Sequence, residues 1–306
     1  MTEATATSTR AAMVRSINTR KGVIPFPAYV PVTTFGKKYP LDDLVRPYLP
    51  RLASAVMVSY HYARQQESAI RLPMMVDSGG FASLFEKAKV IEVRGLGVIE
   101  IETESGIECI APGEVLDFQE RNAEIAFTLD FPIPPSLDSR LAKKRQRLTI
   151  KNALWAIGNR RRLDMPLYAC AQGWDVESFL KCAKSYVDCG FDGIAIGGLV
   201  PRARDKVFIR AVVEGTRKIV GELPIHVFGL GNPELSDLAF GAGADSVDSS
   251  SYVRLAADGR LWGRDSDAIA NPTPTQRLHL ALCNLANATG RGLPLSVSRH
   301  LLNGRS

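Results

Sequence analysis

Residues 241–254 read Gly-Ala-Gly-Ala-Asp-Ser-Val-Asp-Ser-Ser-Ser-Tyr-Val-Arg, a short apolar run that leads into hydroxyl residues and an arginine. The run from Ala244 to Val247 has the character of a strand and places the carboxylate of Asp248 at its end. A second stretch, 74–81, has the same shape: Met-Met-Val leads to Asp77, and Ser-Gly-Gly-Phe follows. A carboxylate at the carboxyl end of a strand can serve as a nucleophile or as an acid/base group. Two of them predict glycosyl-transfer chemistry at the mouth of a barrel.

Short apolar runs recur along the chain, with helical patterns between them. Eight runs are predicted as strands: 26–32, 54–60, 73–77, 125–130, 167–172, 193–197, 225–229 and 244–248. Most are continuously apolar, as expected for parallel strands that are buried on both faces. Helical patterns lie at 114–124, 139–162, 175–189, 203–221 and 233–241. The alternation predicts the α/β class and a (β/α)8 TIM barrel.

Three regions are predicted along the chain. Residues 1–20 are expected to form a disordered or frayed N-terminus. Residues 21–270 form the barrel and catalytic domain, and a Val/Ile period of two predicts a small β-hairpin or sheet inserted at about 87–112. Residues 271–306 form a C-terminal helical extension, with a basic helix at 276–289 that packs on the side of the barrel.

Composition limits the class of protein only broadly. The 306 residues are 45% hydrophobic and 23% charged, which is ordinary for a globular enzyme. The net charge of +6 is compatible with an anionic partner such as nucleic acid and equally with a mildly basic enzyme. Five cysteines without a CxxC pair indicate free thiols, and no apolar window approaches 18 residues. We therefore expect a cytoplasmic protein that does not enter a membrane.

The predicted strand ends carry polar and aromatic side chains. Active sites of barrels form where the carboxyl ends of the strands meet. In chain order these ends carry Tyr60-His61, Asp77, Asp130, Gln172, Gly197-Gly198, Phe228-Gly229 and Asp248. The ring holds three acids and no cluster of metal ligands.

Seven segments resemble, in order, the signature segments of the tRNA-guanine transglycosylase superfamily. They are Pro31-Val32-Thr33-Thr34, Ser59-Tyr60-His61, Asp77-Ser78-Gly79-Gly80-Phe81, Gln119 with Leu129-Asp130, Ala171-Gln172-Gly173, Phe191-Asp192-Gly193-Ile194-Ala195-Ile196-Gly197-Gly198-Leu199 and Phe228-Gly229-Leu230-Gly231. The resemblance runs from about residue 25 to 260. It implies a (β/α)8 barrel that exchanges a guanine in nucleic acid for a 7-deazaguanine with retention of configuration.

The resemblance also implies roles for individual residues. Asp248 matches the nucleophile that attacks C1′ and forms a covalent glycosyl-enzyme, the double displacement of retaining enzymes. Asp77 matches the general acid/base that moves protons on the leaving and incoming bases. Asp130 matches the carboxylate that accepts hydrogen bonds from N1–H and the N2 amine of the base.

Further residues of the implied substrate site bind the rest of the base and the backbone. Gln172 and the backbone amide near Gly198-Leu199 would read O6, and Phe81 and Phe228 would stack on the base. Arg254 matches an arginine that holds a backbone phosphate. Ser78 and Gly229 complete the implied substrate-binding set. No cofactor is implied.

Two departures from the family pattern bear on the substrate. The tRNA enzymes carry a CxCxxC zinc cluster after the nucleophile strand, whereas this chain has only Cys283, His279 and His300 there, so no zinc site is expected. The usual Cys-Val-x-Pro-Thr-Arg run is replaced by Ser249-Ser250-Ser251-Tyr252-Val253-Arg254. Both departures are similar to the DpdA-type enzymes, which insert preQ0 into DNA.

The sequence therefore favours a base-exchange enzyme that acts on DNA and takes up a free 7-deazaguanine base. The alternatives are a queuine or preQ1 tRNA-guanine transglycosylase, a transferase for a free deazapurine and a sugar phosphate, and a non-catalytic nucleic-acid-binding paralogue. Retention of Asp77, Asp130 and Asp248 favours catalysis over the paralogue. A homodimer or an accessory protein is a further expected partner.

Several residues have competing interpretations. Strand periodicity places Asp245 on the face opposite Asp248, which favours Asp248 as the nucleophile. His61 and His226 are interpreted as packed structural histidines. The basic helix at 143–162 is as compatible with a solvated face as with a surface that binds phosphates.

Three cations follow the sixth predicted strand, at the active mouth of the barrel. They are Arg202, Arg204 and Lys206. Their position makes them the better nucleic-acid-binding candidates.

Overall fold

The computed structural model describes residues 15–64, 70–263 and 268–292. Its centre is a closed barrel of eight parallel strands, so the predicted (β/α)8 barrel is confirmed. The barrel closes where the last strand pairs with the first, with Asp248 opposite Val30. The predicted strands match the observed ones to within about three residues at each end.

The described strands and helices follow in chain order. The strands are β1 (Ser16–Thr19), β2 (Gly22–Pro25), β3 (Ala28–Thr33), β4 (Val56–Ser59), β5 (Met74–Asp77), β6 (Ala88–Val93), β7 (Leu96–Thr103), β8 (Gly106–Ile110), β9 (Ile125–Phe127), β10 (Leu167–Ala171), β11 (Gly193–Ile196), β12 (Ile225–Val227) and β13 (Ser246–Ser249). The α-helices are α1 (Leu41–Val45), α2 (Leu49–Leu52), α3 (Tyr60–Ala63), α4 (Pro112–Asn122), α5 (Ser139–Asn159), α6 (Val176–Lys184), α7 (Lys206–Val220), α8 (Pro233–Gly241), α9 (Ser251–Ala257) and α10 (Pro274–Thr289).

Alternate side chains of the barrel strands enter two separate apolar layers. One layer fills the lumen and includes Val30, Met57, Met75 and Phe127. The larger layer lies between the barrel and its surrounding helices. Because the side-chain period of a strand is two, residues two apart along one strand share the lumen. By this rule the side chain of Asp248 in β13 faces the lumen.

An antiparallel hairpin of β1 and β2 covers one end of the lumen. Ile24 is fully buried against the lumen side chains, and Arg20 and Arg15 pair with Glu124 and Asp245. Both acids directly precede a barrel strand, so the hairpin covers the amino-terminal end of the barrel. The expectation of a frayed N-terminus over 1–20 is wrong for Ser16–Thr19, because those residues form β1. Residues 1–14 lie outside the described residues.

Three helices that follow loops of the barrel mouth, α5, α6 and α7, start with an N-cap aspartate. Asp138 accepts hydrogen bonds from two backbone amides at the start of α5, and Asp175 forms a capping box with Ser178 at α6. Asp205 accepts a hydrogen bond from the amide of Phe208 at α7. Such caps satisfy amides that have no partner within the helix. They fix where each loop of the barrel mouth ends.

The predicted insertion between the third and fourth barrel strands is a three-stranded antiparallel sheet, β6 to β8. Asn152 of α5 binds both backbone groups of Gly97 in β7, at 2.8 and 3.1 Å. Glu92 of β6 accepts hydrogen bonds from Arg147 and Lys151. These contacts hold the inserted sheet against α5.

The C-terminal extension begins with α10, which opens on a capping box between Thr273 and Gln276. Asn284 is fully buried and donates a hydrogen bond to the carbonyl of Tyr252 in α9. The helix therefore packs on the side of the barrel, and residues 293–306 of the predicted extension lie outside the described residues. None of the described helices has the length and apolarity needed to cross a bilayer.

Candidate active site

Three carboxyl groups meet at the carboxyl end of the barrel. Asp77 is the last residue of β5, Asp248 is the third residue of β13, and Asp130 follows β9 by three residues. Asp130 is 6% exposed and Asp248 is 7% exposed. The negative charges of Asp248 and Asp130 both act on Asp77. The three acids predicted from separate strand ends therefore share one site.

Asp77 lies in an environment that favours its protonated form. Loss of hydration raises the pKa of its carboxyl to about 7, and the charges of Asp248 and Asp130 add to the increase. Hydrogen bonds from Gly79 and Ser59 oppose the increase without cancelling it. The amide of Gly79 donates to Oδ1 at 2.7 Å. A carboxyl with this pKa can give and take a proton near neutral pH, as a general acid/base must.

Asp130 accepts hydrogen bonds on both carboxylate oxygens. Ser78 Oγ donates to Oδ1 at 2.9 Å, and Gln172 Nε2 donates to Oδ2 at 2.6 Å. Burial raises the pKa of Asp130, and these two hydrogen bonds counteract the increase. The acid is thus held in a buried polar cluster together with two of the predicted substrate-binding residues.

Two glycines permit this close packing. A Cβ atom at Gly80 would lie 2.2 Å from the backbone oxygen of Asp130, and one at Gly197 would lie 2.1 Å from Gln172 Nε2. Neither distance is possible for a real side chain, so only glycine leaves room for the acid and the amide. The Gly-Gly pairs noted in the sequence are explained by these contacts.

Gln172 presents its amide differently from the expectation. Its Nε2 is used by Asp130, and its buried Oε1 has no hydrogen-bond partner among the described residues. The unused atom faces Gly198, where an added Cβ would lie 2.7 Å from it. In this arrangement Gln172 offers an acceptor to a ligand, whereas reading O6 requires a donor. A buried acceptor without a partner costs about 1–3 kcal/mol, which a bound donor would recover.

Asp248 is held through one of its two oxygens. His226 Nε2 lies 3.1 Å from Oδ1, and the amide of Gly229 donates to the same oxygen at 3.0 Å. Both described hydrogen bonds of the carboxylate end on Oδ1. Asp245, the competing acid, instead binds Arg217 and Arg15 at the amino-terminal side of the barrel.

His226 is packed in the lumen as the sequence predicts, and it also contacts Asp248, which the sequence analysis missed. It is fully buried in β12, but its ring contacts the predicted nucleophile. The signal was available, because the period-two rule that places Asp248 in the lumen also places Ser246 and, on the neighbouring strand, His226 and Phe228 there. His61, the other histidine assigned a structural role, packs edge-on against Tyr62 and Phe85.

The two aromatic residues predicted to stack on a base differ in exposure. Phe81 is 57% exposed, and its ring lies 5.3 Å from the ammonium of Lys38. Phe228 is partly buried, with its ring centroid 5.0 Å from that of Phe127 and 4.8 Å from that of His226. Phe81 therefore offers a free apolar face at the mouth, and Phe228 is fixed by the lumen core.

The cations predicted to bind phosphate differ in how strongly they already interact with other residues of the protein. Arg202 donates hydrogen bonds to the carbonyls of Gly198 and Trp174, both at 3.0 Å, and its role in this structure is to clamp two site loops together. Lys206 forms an ion pair with Glu234. Arg204 is exposed, and within the described part of the chain no ion pair involves it. Arg254 is also exposed and contacts only Ser251 Oγ, at 3.3 Å, among its described hydrogen bonds.

A parallel barrel that gathers carboxyl groups at its mouth beside buried polar side chains and an exposed aromatic ring is an arrangement typical of glycosyl-transferring enzymes. The chain belongs to the queuine tRNA-ribosyltransferase family, whose model matches residues 8–287. It is 28% identical over 256 residues to the tRNA-guanine(15) transglycosylase of Methanocaldococcus jannaschii, covering 81% of this chain and 37% of that protein.

Two further archaeal relatives give the same result. The tRNA-guanine(15) transglycosylase of Methanothermobacter thermautotrophicus is 28% identical over 260 residues, covering 80% of this chain and 36% of the relative. The tRNA-guanine(15) transglycosylase of Pyrobaculum aerophilum is 25% identical over 267 residues, covering 83% of this chain and 50% of the relative. The chain thus spans between about a third and a half of the length of the relatives that it matches.

Proposed function

We propose that this protein is a base-exchange glycosyltransferase that replaces a guanine in tRNA by a 7-deazaguanine, through a covalent glycosyl-aspartate intermediate. The observation that carries the proposal is the contrast between two neighbouring carboxyl groups. Asp77 has a pKa raised to about 7, whereas Asp248 accepts two hydrogen bonds on one oxygen. A carboxyl that can hold a proton near neutral pH suits the acid/base role, and a carboxylate held through one oxygen leaves its other oxygen for nucleophilic attack.

In the first half-reaction, an oxygen of Asp248 attacks C1′ of the target nucleotide. The C1′–N9 bond breaks, its electron pair goes to the departing guanine, and Asp77 supplies the proton that the base needs to leave. In the second half-reaction, Asp77 takes a proton from the incoming base, which attacks C1′ and releases the carboxylate of Asp248. Two displacements at C1′ retain its configuration.

Base recognition is assigned to the pocket around Asp130. Its carboxylate accepts from the N1–H and N2 amine of a guanine-like base, and the free Oε1 of Gln172 accepts from a further N–H. Ser78 donates to the carboxylate, and the backbone of Gly198 lies beside Oε1 of Gln172. The target nucleotide must leave its stack to reach this pocket, because C1′ and the base edge are not jointly accessible inside a helix.

The named relatives favour tRNA over DNA as the substrate. Each of the three is a tRNA-guanine(15) transglycosylase, which supports the alternative that the sequence ranked second. The sequence favours DNA because the zinc cluster of the tRNA enzymes is missing and a Ser-rich run follows Asp248. No described contact of that run distinguishes the two nucleic acids. We therefore place DNA among the outcomes of the test.

Label exchange tests the proposal directly. The purified chain is incubated with radiolabelled guanine and, in parallel, unmodified tRNA, duplex DNA and single-stranded DNA, with Asp248→Asn as the blank. The expected result is label in tRNA only, together with a protein–tRNA adduct that survives denaturation and is absent from Asp248→Asn. Label in DNA alone would refute the choice of substrate. Label in none, or full activity of Asp248→Asn, would refute the reaction.

A further inference from the structure

His226 lies at the centre of a short buried chain of polar groups in the barrel lumen. Its Nδ1 is 2.8 Å from Ser246 Oγ, and its Nε2 is 3.1 Å from Asp248 Oδ1. Strands β12 and β13 place His226 directly beside Ser246 in register. The rings of Phe127 and Phe228 lie 5.0 and 4.8 Å from the imidazole, which fixes its orientation.

The contacts specify which nitrogen carries the proton. An ionised carboxylate can only accept, so Nε2–H must donate to Asp248. In the neutral ring Nδ1 then keeps its lone pair and accepts a hydrogen bond from Ser246 Oγ–H. The second partner of a histidine commonly sets the tautomer that faces a reacting group. Ser246 has that position here.

The donors to Asp248 converge on one oxygen. Gly229 N–H and His226 Nε2–H both point to Oδ1, at 3.0 and 3.1 Å. An oxygen that accepts two hydrogen bonds has less electron density to offer a carbon atom. The other oxygen, Oδ2, is the better nucleophile, and its direction is set because Oδ1 is fixed.

We propose that His226 is the positioning residue of the nucleophile: it holds Oδ1 of Asp248 so that Oδ2 bonds to C1′, and it stabilises the carboxylate that is released when the adduct breaks down. This inference rests on the proposed function and assigns a role within the same site. When the Oδ2–C1′ bond forms, the carboxylate loses its charge and Oδ1 becomes an ester carbonyl. When that bond breaks, the electron pair returns to the carboxylate.

The balance between free enzyme and adduct depends on this hydrogen bond. A donor to a charged oxygen contributes more than a donor to a neutral carbonyl, so His226 favours the free carboxylate over the ester. Loss of the donor should therefore raise the ratio of adduct to free enzyme by about fivefold and slow the breakdown of the adduct. A side chain that only filled space would not shift this ratio.

Three variants separate the donor from the shape of the ring. His226→Phe keeps a planar ring without a donor, His226→Gln restores an N–H near the position of Nε2, and Ser246→Ala removes the partner that fixes the tautomer. Each variant is first compared with the wild type by thermal unfolding and circular dichroism. The wild type and each folded variant are then mixed with tRNA, and the adduct fraction and its decay after addition of guanine are measured on denaturing gels.

The expected result is a higher adduct fraction and slower decay in His226→Phe, wild-type values in His226→Gln and an intermediate shift in Ser246→Ala. Equal adduct ratios and decay rates in the wild type and His226→Phe would overturn the inference, and so would a shift in His226→Phe that His226→Gln shares. If His226→Phe does not fold, the comparison of His226→Gln and Ser246→Ala decides, and an unshifted Ser246→Ala overturns the inference. Absence of any adduct in the wild type would refute the proposed function instead.

Discussion

Gln172 Nε2 lies 2.6 Å from Asp130 Oδ2, in a space that exists because residue 197 has no side chain. The amide and the acid come from consecutive strands of the barrel, β10 and β9. Their contact fixes the acid that we propose recognises the base, and it determines which atom of the amide remains without a partner. The proposed base site therefore depends on a close backbone approach as much as on polar side chains.

Gly197→Ala should weaken binding of the base without unfolding the protein. The added Cβ would lie 2.1 Å from Gln172 Nε2 and force the amide away from Asp130. We expect the KM for guanine to rise by at least tenfold, from the loss of one hydrogen bond to a charged acceptor. The matched control is Gly158→Ala near the end of α5, where a Cβ would meet open space. That change should leave exchange intact and add about 0.5–1 kcal/mol of stability.

The raised pKa of Asp77 predicts a stability that depends on pH. The carboxyl has a folded-state pKa of about 7, above the usual value of 3.8, so the folded chain keeps a proton that the unfolded chain has lost. The free energy of unfolding should consequently fall as pH rises from about 4 to about 7. Asp77→Asn should remove this component, being more stable than the wild type at pH 8 and similar to it at pH 4. Urea denaturation at both pH values measures the difference, and parallel curves for the two proteins would contradict it.

The same pKa predicts how the first half-reaction responds to pH. Asp77 must be protonated to assist the departing guanine, so the rate of adduct formation in a single turnover should fall as pH rises through about 7. Rapid-quench measurement of adduct formation between pH 5.5 and 8.5 gives the profile. Asp77→Asn should be slow and should lack the limb near pH 7. A profile in the variant with the wild-type midpoint would assign the titration to another group.

Arg202 and Arg204 are neighbours in sequence with different expected effects. Arg202→Ala removes a guanidinium that donates to loop carbonyls, and should lower the melting temperature while leaving the salt dependence of tRNA binding unchanged. Arg204→Ala should leave the melting temperature unchanged and reduce the slope of log K against log salt by about one unit or less, as expected for loss of one phosphate contact. Filter binding at several salt concentrations separates the two outcomes. A changed slope for Arg202→Ala alone would reverse the assignment.

Phe81 should contribute by stacking at the mouth of the pocket. It is 57% exposed, so a stacked base would bury its free face. Phe81→Ala should weaken substrate binding by about 1–3 kcal/mol, and Phe81→Tyr should retain wild-type affinity. Leu163→Ala serves as the control, because Leu163 is a 75% exposed apolar residue near the amino-terminal end of β10. Equal affinities of Phe81→Ala and Leu163→Ala would contradict the stacking role.

Much of this architecture is predictable from the hydrophobic pattern of the strands and from their side-chain period of two. Continuous apolar runs indicate buried parallel strands, and the rule that barrel sites lie at the carboxyl ends of strands predicts that Asp77, Asp130 and Asp248 lie together. The same periodicity separated Asp248 from Asp245, which binds Arg217 at the opposite side. Predicted boundaries were less accurate, since Ser16–Thr19 pair in a strand where a frayed terminus was expected.

The sequence by itself determined the α/β barrel, the inserted sheet and the three acids of the candidate site, because strand periodicity and strand ends are local properties of the chain. Only the tertiary structure decided what each acid contacts. It raised the pKa of Asp77 through lost hydration, left the buried Oε1 of Gln172 without a partner among the described residues, and engaged Arg202 with loop carbonyls. It also placed His226 against Asp248. Hydration and hydrogen bonding depend on atoms brought together from distant parts of the chain, and no local pattern records them.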